Sequence, residues 1–245
     1  MAAGVTADRR RAARLVHTSD CHLTRDDGGA AQQAFASVVS LAMAVEADGL
    51  VIAGDLFDHS RVGPDIVLWV AGQLNRFAGP VVLLVGNHDC LDPSSVHHRH
   101  DLRQLCDRLL MLDEPDGKSV DLPGTDITVW GRAMVEHAPQ FRPLANAPRA
   151  RGGRWSVIAA HGLVDAEEGR SSPIPSSELA DLSADYVALG HVHVHTVVRE
   201  SPPVHYSGAA HAHGSARSGC LVVDFIPGSG VRVEWASLAD AAVVS

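Results

Sequence analysis

Seven side chains able to ligate a metal stand in a fixed order along this chain: Asp20, His22, Asp55, Asn87, His161, His191 and His193. They fall in five short blocks: Ser-Asp-Cys-His at 19–22, Gly-Asp-Leu-Phe-Asp at 54–58, Gly-Asn-His-Asp at 86–89, His-Gly at 161–162 and Gly-His-Val-His at 190–193. Carboxylate and amide oxygens are hard donors and imidazole is a borderline one. The set therefore suits two divalent ions, with Mn, Fe and Zn all compatible. Two such ions side by side hold and activate a water for in-line attack on phosphorus.

Each block also has an ordinary structural reading. Asp20-x-His22 fits a solvated turn, and in an extended segment the two side chains would point the same way toward one metal. Gly54-Asp55 fits a turn or helix cap, and His161-Gly162 fits a core histidine. Gly190-His191-Val192-His193 is stronger, because alternation again puts two imidazoles on one side. Gly86-Asn87-His88-Asp89 is the most specific single block. Its glycine permits a tight backbone that turns the Asn87 carbonyl inward. His195 continues the alternation and is expected as a supporting or surface residue.

These residues need elements to place them. Arg14–Thr18, Leu50–Ala53 and Pro80–Val85 read as buried strands, each running into a ligand block. Between them, Ala30–Ala47 reads as a helix with Phe35, Val38, Val39 and Ala42 on one stripe. Asp65–Phe77 reads as a second helix behind Pro64. Strands alternating with helices predict a parallel or mixed sheet, where ligands gather at the carboxyl ends of strands. The second half is richer in strands, at Ile127–Gly131, Trp155–Ala160, Tyr186–Leu189, Thr196–Arg199, Val204–Ser207, Gly219–Phe225 and Val231–Ala236. Residues 139–153 and 169–177 read as surface loops. Residues 1–13 are expected as a flexible tail and 14–245 as a single domain.

The order and spacing of the five blocks resemble the calcineurin-like metallophosphoesterases. Within them the chain looks most like the SbcD-type DNA-repair nucleases, in Leu15–Asp20, Gly54–Asp58, Tyr186–His193 and Tyr206-Ser207-Gly208. The resemblance implies an α/β fold, a four-layer αββα sandwich with two mixed sheets flanked by helices. It implies that Asp20, His22, Asp55 and His193 hold one metal, and that Asp55, Asn87, His161 and His191 hold the other, with Mn named first. It implies a phosphoester hydrolase in which a hydroxide between the metals attacks phosphorus. His88 acts as general acid for the leaving oxygen, with Asp58 orienting its imidazole. His59 and Arg61 follow Asp58, where phosphatases of this superfamily place phosphate-binding groups. An SbcD-like phosphodiesterase or nuclease is the first expectation, and DNA its candidate substrate. A small-molecule phosphoesterase and a non-catalytic binding subunit are the alternatives. Only residues 194–245 follow the last block. On that ground neither a capping domain nor a segment docking an SbcC-like ATPase partner is expected.

The bulk numbers narrow the classes. With 245 residues and 46% hydrophobic content the chain can bury a large core. A net charge of −9 argues against a broadly basic nucleic-acid coat, so any contact to a phosphate backbone must be local. Lys118 is the sole lysine, and arginine forks suit phosphate. Candidate local patches are His97, His98, Arg99 and His100, and Arg142, Arg149, Arg151 and Arg154. Four widely spaced cysteines without a CxxC fit reduced thiols in a cytoplasm. Cys21, between two proposed ligands, reads as pointing away from them. No apolar run reaches the roughly 18 residues of a membrane span.

Overall fold

A computed structural model describes residues 8–25, 28–138, 140–166, 172–211 and 217–238. In chain order the first half holds β1 (Ala13–Thr18), α1 (Ala30–Ala44), β2 (Gly49–Ala53), α2 (Pro64–Leu74), β3 (Val81–Leu84), α3 (Val96–Arg99), β4 (Leu109–Leu112), β5 (Lys118–Asp121) and β6 (Ile127–Gly131). The second half holds β7 (Trp155–His161), β8 (Leu163–Val164), β9 (Pro173–Ile174), α4 (Ser176–Asp181), β10 (Tyr186–Gly190), β11 (Thr196–Glu200), β12 (Pro203–Tyr206), β13 (Gly219–Ile226) and β14 (Gly230–Ser237).

Two six-stranded sheets result, in the orders β14-β13-β1-β2-β3-β4 and β11-β12-β10-β7-β6-β5. In the first sheet β1 to β4 run parallel, with β13 antiparallel to β1 and β14 antiparallel to β13. In the second, β12, β10, β7 and β6 run parallel between the antiparallel edge strands β11 and β5, so both sheets are mixed. Period-two alternation explains why the sheets stack. In β2, Leu50 and Ile52 pack on one side while Val51 and Ala53 pack on the other. In β7, Trp155, Val157 and Ala159 meet those inward residues, and Ile158 and Ala160 face away.

The outward face of the first sheet is covered by α1 and α2, through Phe35, Val38, Val39, Val67 and Val70. Their apolar residues recur at helical spacing, so burying one stripe against the sheet stabilises both elements. The outward face of the second sheet is covered more thinly, by Leu179 of α4, Ile174 and Leu144. The expected α/β sandwich with two mixed sheets flanked by helices is therefore present, with few helices on its second side.

Local differences have physical reasons. α1 stops at Ala44, three residues short of expectation, as Val45 and left-handed Glu46 turn the chain into β2. β4 and β5 fall outside the expected strands: β4 is a four-residue run, too short to carry a period of its own. Residues 8–12 also differ from the expected tail. Arg10 lies 3.4 Å over the Trp155 ring and pairs with Asp185 at 2.9 Å, and Arg11 pairs with Asp126 at 2.9 Å. The first seven residues of that expected tail lie outside the described residues.

Candidate metal centre

Parallel strands in both sheets deliver their carboxyl ends to one side of the sandwich. Asp20 follows β1, Asp55 follows β2, Asn87 follows β3, His161 ends β7 and His191 follows β10. The backbone there is not extended. Asp20, His22, Asp55 and His191 all adopt positive φ, at 50°, 45°, 51° and 101°. The alternation expected of Asp20-x-His22 and of His191-x-His193 is therefore not what aims them; tight left-handed turns at strand ends do. Each such residue costs on the order of 1–3 kcal/mol, and the surrounding bonds must hold it.

Those bonds connect the loops in series. The amides of Asp20, Cys21, His22 and Leu23 donate to the carbonyls of Gly54, Asp55, Asp55 and Leu56, at 2.8–3.1 Å. The second and third loops share one fully buried carboxylate, Asp89. Its Oδ1 accepts from the Gly86 amide at 2.8 Å, and its Oδ2 accepts from Leu56 and Phe57 at 3.1 and 3.2 Å. His97 Nε2 stands 3.3 Å from the same Oδ2. The His191 amide donates to Asp20 Oδ2 at 2.9 Å, which joins the second sheet's loop to the first. Tyr206 braces the His161 turn, donating to the Gly162 carbonyl at 2.8 Å and accepting from the Val164 amide at 2.9 Å.

Two glycines are required by close approach. A Cβ on Gly86 would lie 2.1 Å from Asp55 Oδ1, and one on Gly54 would lie 2.1 Å from His161 Nδ1. Gly86 is thus needed for the space it leaves to Asp55, not for the conformational freedom the sequence suggested.

The seven donors converge. His161 Nε2 is 3.2 Å from Asp55 Oδ2 and 3.0 Å from Asn87 Oδ1, and His191 Nδ1 is 3.0 Å from the same Asn87 oxygen. His22 Nε2 lies 3.1 Å from His193 Nε2, 3.8 Å from Asp55 Oδ2 and 4.0 Å from Asp20 Oδ1. His193 Nε2 is 3.6 Å from Asp20 Oδ1. Three groups have ligand atoms within 4.8 Å of one another: Asp20, His22 and His193; Asp20, Asp55 and His161; and His22, Asp55 and His88.

A cation fits this arrangement. The Ala53 carbonyl, 2.9 Å from His161 Nδ1, can only accept, so the proton sits on Nδ1 and a neutral ring points its Nε2 lone pair at two oxygens. That contact is repulsive until positive charge enters. In the metal-free protein a proton supplies it: burial opposes charge on His161, but Asp55 and Asp20 outweigh burial and lift its pKa to about 10. Burial likewise opposes charge on Asp55, yet His161 and His22 hold its carboxyl below the usual range. Burial keeps His22 and His191 below the ordinary histidine value. Burial also pushes the Cys21 thiol far up, which removes it as a reactive group.

His88 lies on the open side, with its side chain 44% exposed. Its amide donates to Asp55 Oδ1 at 2.9 Å, and its Nδ1 donates to the main-chain oxygen of Asp58 at 2.7 Å. The Asp58 carboxylate points elsewhere: Oδ1 is 3.2 Å from His22 Nδ1 and 3.9 Å from His88 Nδ1. The expected orienting contact on His88 is thus made by the Asp58 carbonyl, because the carboxylate turns toward a proposed ligand. His59 is half-buried and Arg61 exposed on the following turn, and the Arg99 guanidinium donates to the Ser60 carbonyl beside them.

Other expected residues are not brought here. His97 is buried against Asp89 and Phe57 and does not join a surface patch. Arg142 pairs with Glu178, and Arg154 binds Thr128 and the Ile127 carbonyl far from the ligands. His195 stacks on His205 with ring centroids 5.9 Å apart. Asp89 and its partner His97 are what sequence reasoning missed. The acidic fourth position of the Gly-Asn-His-Asp block was the available signal.

Residues 13–195 match the model of the calcineurin-like phosphoesterases. The chain belongs to that family. This metallophosphoesterase is 26% identical over 240 residues to the uncharacterized metallophosphoesterase YhaO of Bacillus subtilis strain 168, covering 84% of this chain and 55% of that protein. It therefore spans about half the length of the curated relative it matches. Among solved structures, the TT1561 protein of Thermus thermophilus superposes with a TM-score of 0.61 at 11% identity, covering 93% of this chain and 100% of that one. A dimetal phosphatase from Danio rerio superposes at 0.58 with 10% identity, covering 92% and 98%. At such identities these two speak for the fold. The family and the converging donors together support metal-dependent phosphoester hydrolysis. Among its described residues no helix is long and apolar enough to cross a membrane.

Proposed function

We propose that this metallophosphoesterase is an SbcD-like phosphodiesterase that acts on extended phosphodiesters, DNA among them. One observation carries the reading: the centre is graded from a buried floor to an open face. Asp20 and Asp55 are buried, whereas the side chains of His88 and His193 are 44% and 49% exposed. A long polyanion can lie across such a face, while a small ester would gain more from an enclosed cup.

Asp20, His22, Asp55 and His193 would hold one divalent ion, and Asp55, Asn87, His161 and His191 the other, with Mn the first choice. When bound, the ions polarise the phosphoryl oxygens and lower the pKa of a water. The chain's own residues do the rest. Asp55 sits between the two donor sets. The Ala53 carbonyl fixes the tautomer of His161. His88 is anchored through Nδ1–H, so Nε2 is its single exchangeable position. In the imidazolium form Nε2 gives its proton to the departing alkoxide, and the neutral ring keeps its bond to Asp58. Arg61 places positive charge, and His59 an imidazole, on the turn that follows Asp58.

The test is Mn-loaded protein with end-labelled single- and double-stranded DNA, a chelator control and a His88→Asn arm. Chelator-sensitive shortening of the DNA, slowed about 10²–10⁴-fold in His88→Asn with metal content unchanged, is the expected result. Intact DNA from a preparation that still cleaves a generic diester would sink the DNA reading and leave a small-molecule phosphodiesterase. Equal rates in parent and variant would remove His88 as the acid.

A further inference from the structure

A second charged cleft lies at the opposite end of the sandwich. The metal cluster sits where β1 and β7 finish, and this cleft sits where they begin. Seven residues of β7 separate the two ends, roughly 20 Å at the rise of a strand. The cleft has a volume of about 750 Å³ and is formed by Asp8–Arg10, by residues 150–154 and by Asp185. That size is ordinary for a small-molecule site.

Four arginines line it, Arg9, Arg10, Arg151 and Arg154, against two aspartates, Asp8 and Asp185. The aspartates are already committed. Asp8 takes Arg10 Nη2 at 2.8 Å, and Asp185 takes Arg10 Nη1 at 2.9 Å and the Ser156 amide at 2.8 Å. Arg10 is further fixed over the Trp155 ring. Arg154 is held by Thr128 Oγ1 and the Ile127 carbonyl, with Asp121 at 3.4 Å. The guanidiniums of Arg9 and Arg151 have no hydrogen-bond or ion-pair partner among the described residues. Two free guanidiniums thus face a cleft whose wall is rigid and whose acids are spent. In a chain of net charge −9 this is a local reversal of sign. The turn between Arg151 and Arg154 carries Gly152 and Gly153, where a Cβ would meet nothing within 4 Å, so a ligand can approach the main chain closely.

We propose that this cleft binds the phosphate chain of a polyphosphate, carried by a nucleoside triphosphate or free as tripolyphosphate. Guanidinium forks pair with phosphate oxygens two at a time, and several forks across one cleft match several adjacent phosphates better than a single carboxylate. The site is independent of the ester-hydrolysing centre, and it does not depend on DNA being the substrate there.

The test is calorimetric titration of the metal-loaded chain with inorganic tripolyphosphate and, separately, with a nucleoside triphosphate. Arg9→Glu/Arg151→Glu, Arg151→Ala and Asn87→Ala are run in parallel. We expect a binding class that persists in Asn87→Ala, weakens at least about tenfold in the double variant and weakens less in Arg151→Ala. Hydrolysis of a generic phosphodiester should be unchanged in both arginine variants. Tighter binding of the nucleoside triphosphate would place the base in the cleft as well; equal binding would assign the phosphate chain alone. If all binding disappears in Asn87→Ala and the double variant binds like the parent, polyphosphate binds only at the metals and the proposal fails.

Discussion

The two sheets contribute unequally to the centre. The first sheet's loops bring every oxygen donor, Asp20, Asp55 and Asn87, together with one imidazole, His22. The second sheet's loops bring only imidazoles, His161, His191 and His193. The first set carries negative charge and is fastened by main-chain amides and by Asp89. The second set carries donors whose charge depends on a proton, and it grades from buried His161 to His193 in the open. One sheet therefore supplies a fixed anionic floor. The other supplies adjustable nitrogen ligands and the entrance.

The comparison can be broken most severely at its shared carboxylate. Asp55→Asn removes the one charge placed between both donor sets. Metal content should fall below two ions per chain and diester hydrolysis should drop at least ~10³-fold, the scale set by losing metal-ion activation. A variant retaining two ions and near-parent rates would show that the anionic floor does not depend on Asp55. Next in size is Asp89→Asn, which leaves an amide facing three main-chain donors. Because the ligand loops then lose their common anchor, metal affinity should fall about 10–100-fold while the proposed acid, His88, keeps its bond to the Asp58 carbonyl. Dialysis against graded free Mn reads the affinity, and hydrolysis at saturating Mn should recover most of the rate. A rate that stays low at saturation would mean that Asp89 does more than hold the loops.

The smallest effect is the most diagnostic of which sheet holds the titrating donor. With its pKa raised to about 10, His161 of the metal-free protein is protonated at pH 8, while Asp55 is already ionised and His22 and His191 are held low. Metal must displace that proton. Affinity should therefore tighten as pH rises toward 10, by up to about tenfold per unit, and flatten above it. Calorimetry in two buffers of different ionisation enthalpy should count one proton released at pH 8, and none in His161→Ala. Two protons, or none in the parent, would contradict the assignment to His161.

Much of this was legible in the sequence. The blocks follow strands because apolar runs such as Leu50–Ala53 end abruptly at Gly-Asp, and β6 begins and ends where its residues predicted. The helical stripe of Phe35, Val38, Val39 and Ala42 is the buried face of α1. The conformation of the ligand loops was not legible. Asp20 and His22 look like neighbours on an extended strand, and nothing in their identity signals positive φ; hydrogen bonds to the distant loop at Gly54–Leu56 impose it. The role of Asp89 was missed for a related reason, although its place in the block was visible. Three of its partners are main-chain amides, which leave no side-chain pattern to read. The role of Asp58 came from the resemblance alone, and a resemblance does not say which of its oxygens touches His88.

The empty volume at Gly86 has a longer reach than one turn. The Asp55 carboxylate occupies the place where any other residue would carry its Cβ, and the main-chain nitrogen of Asp55 would lie only 2.6 Å from that carbon. Trimming the acid at 55 would therefore not open position 86 to a side chain. The loop after β2 acts as a wall against which the turn after β3 is cast, so a side chain at 86 would move the whole turn that presents Asn87.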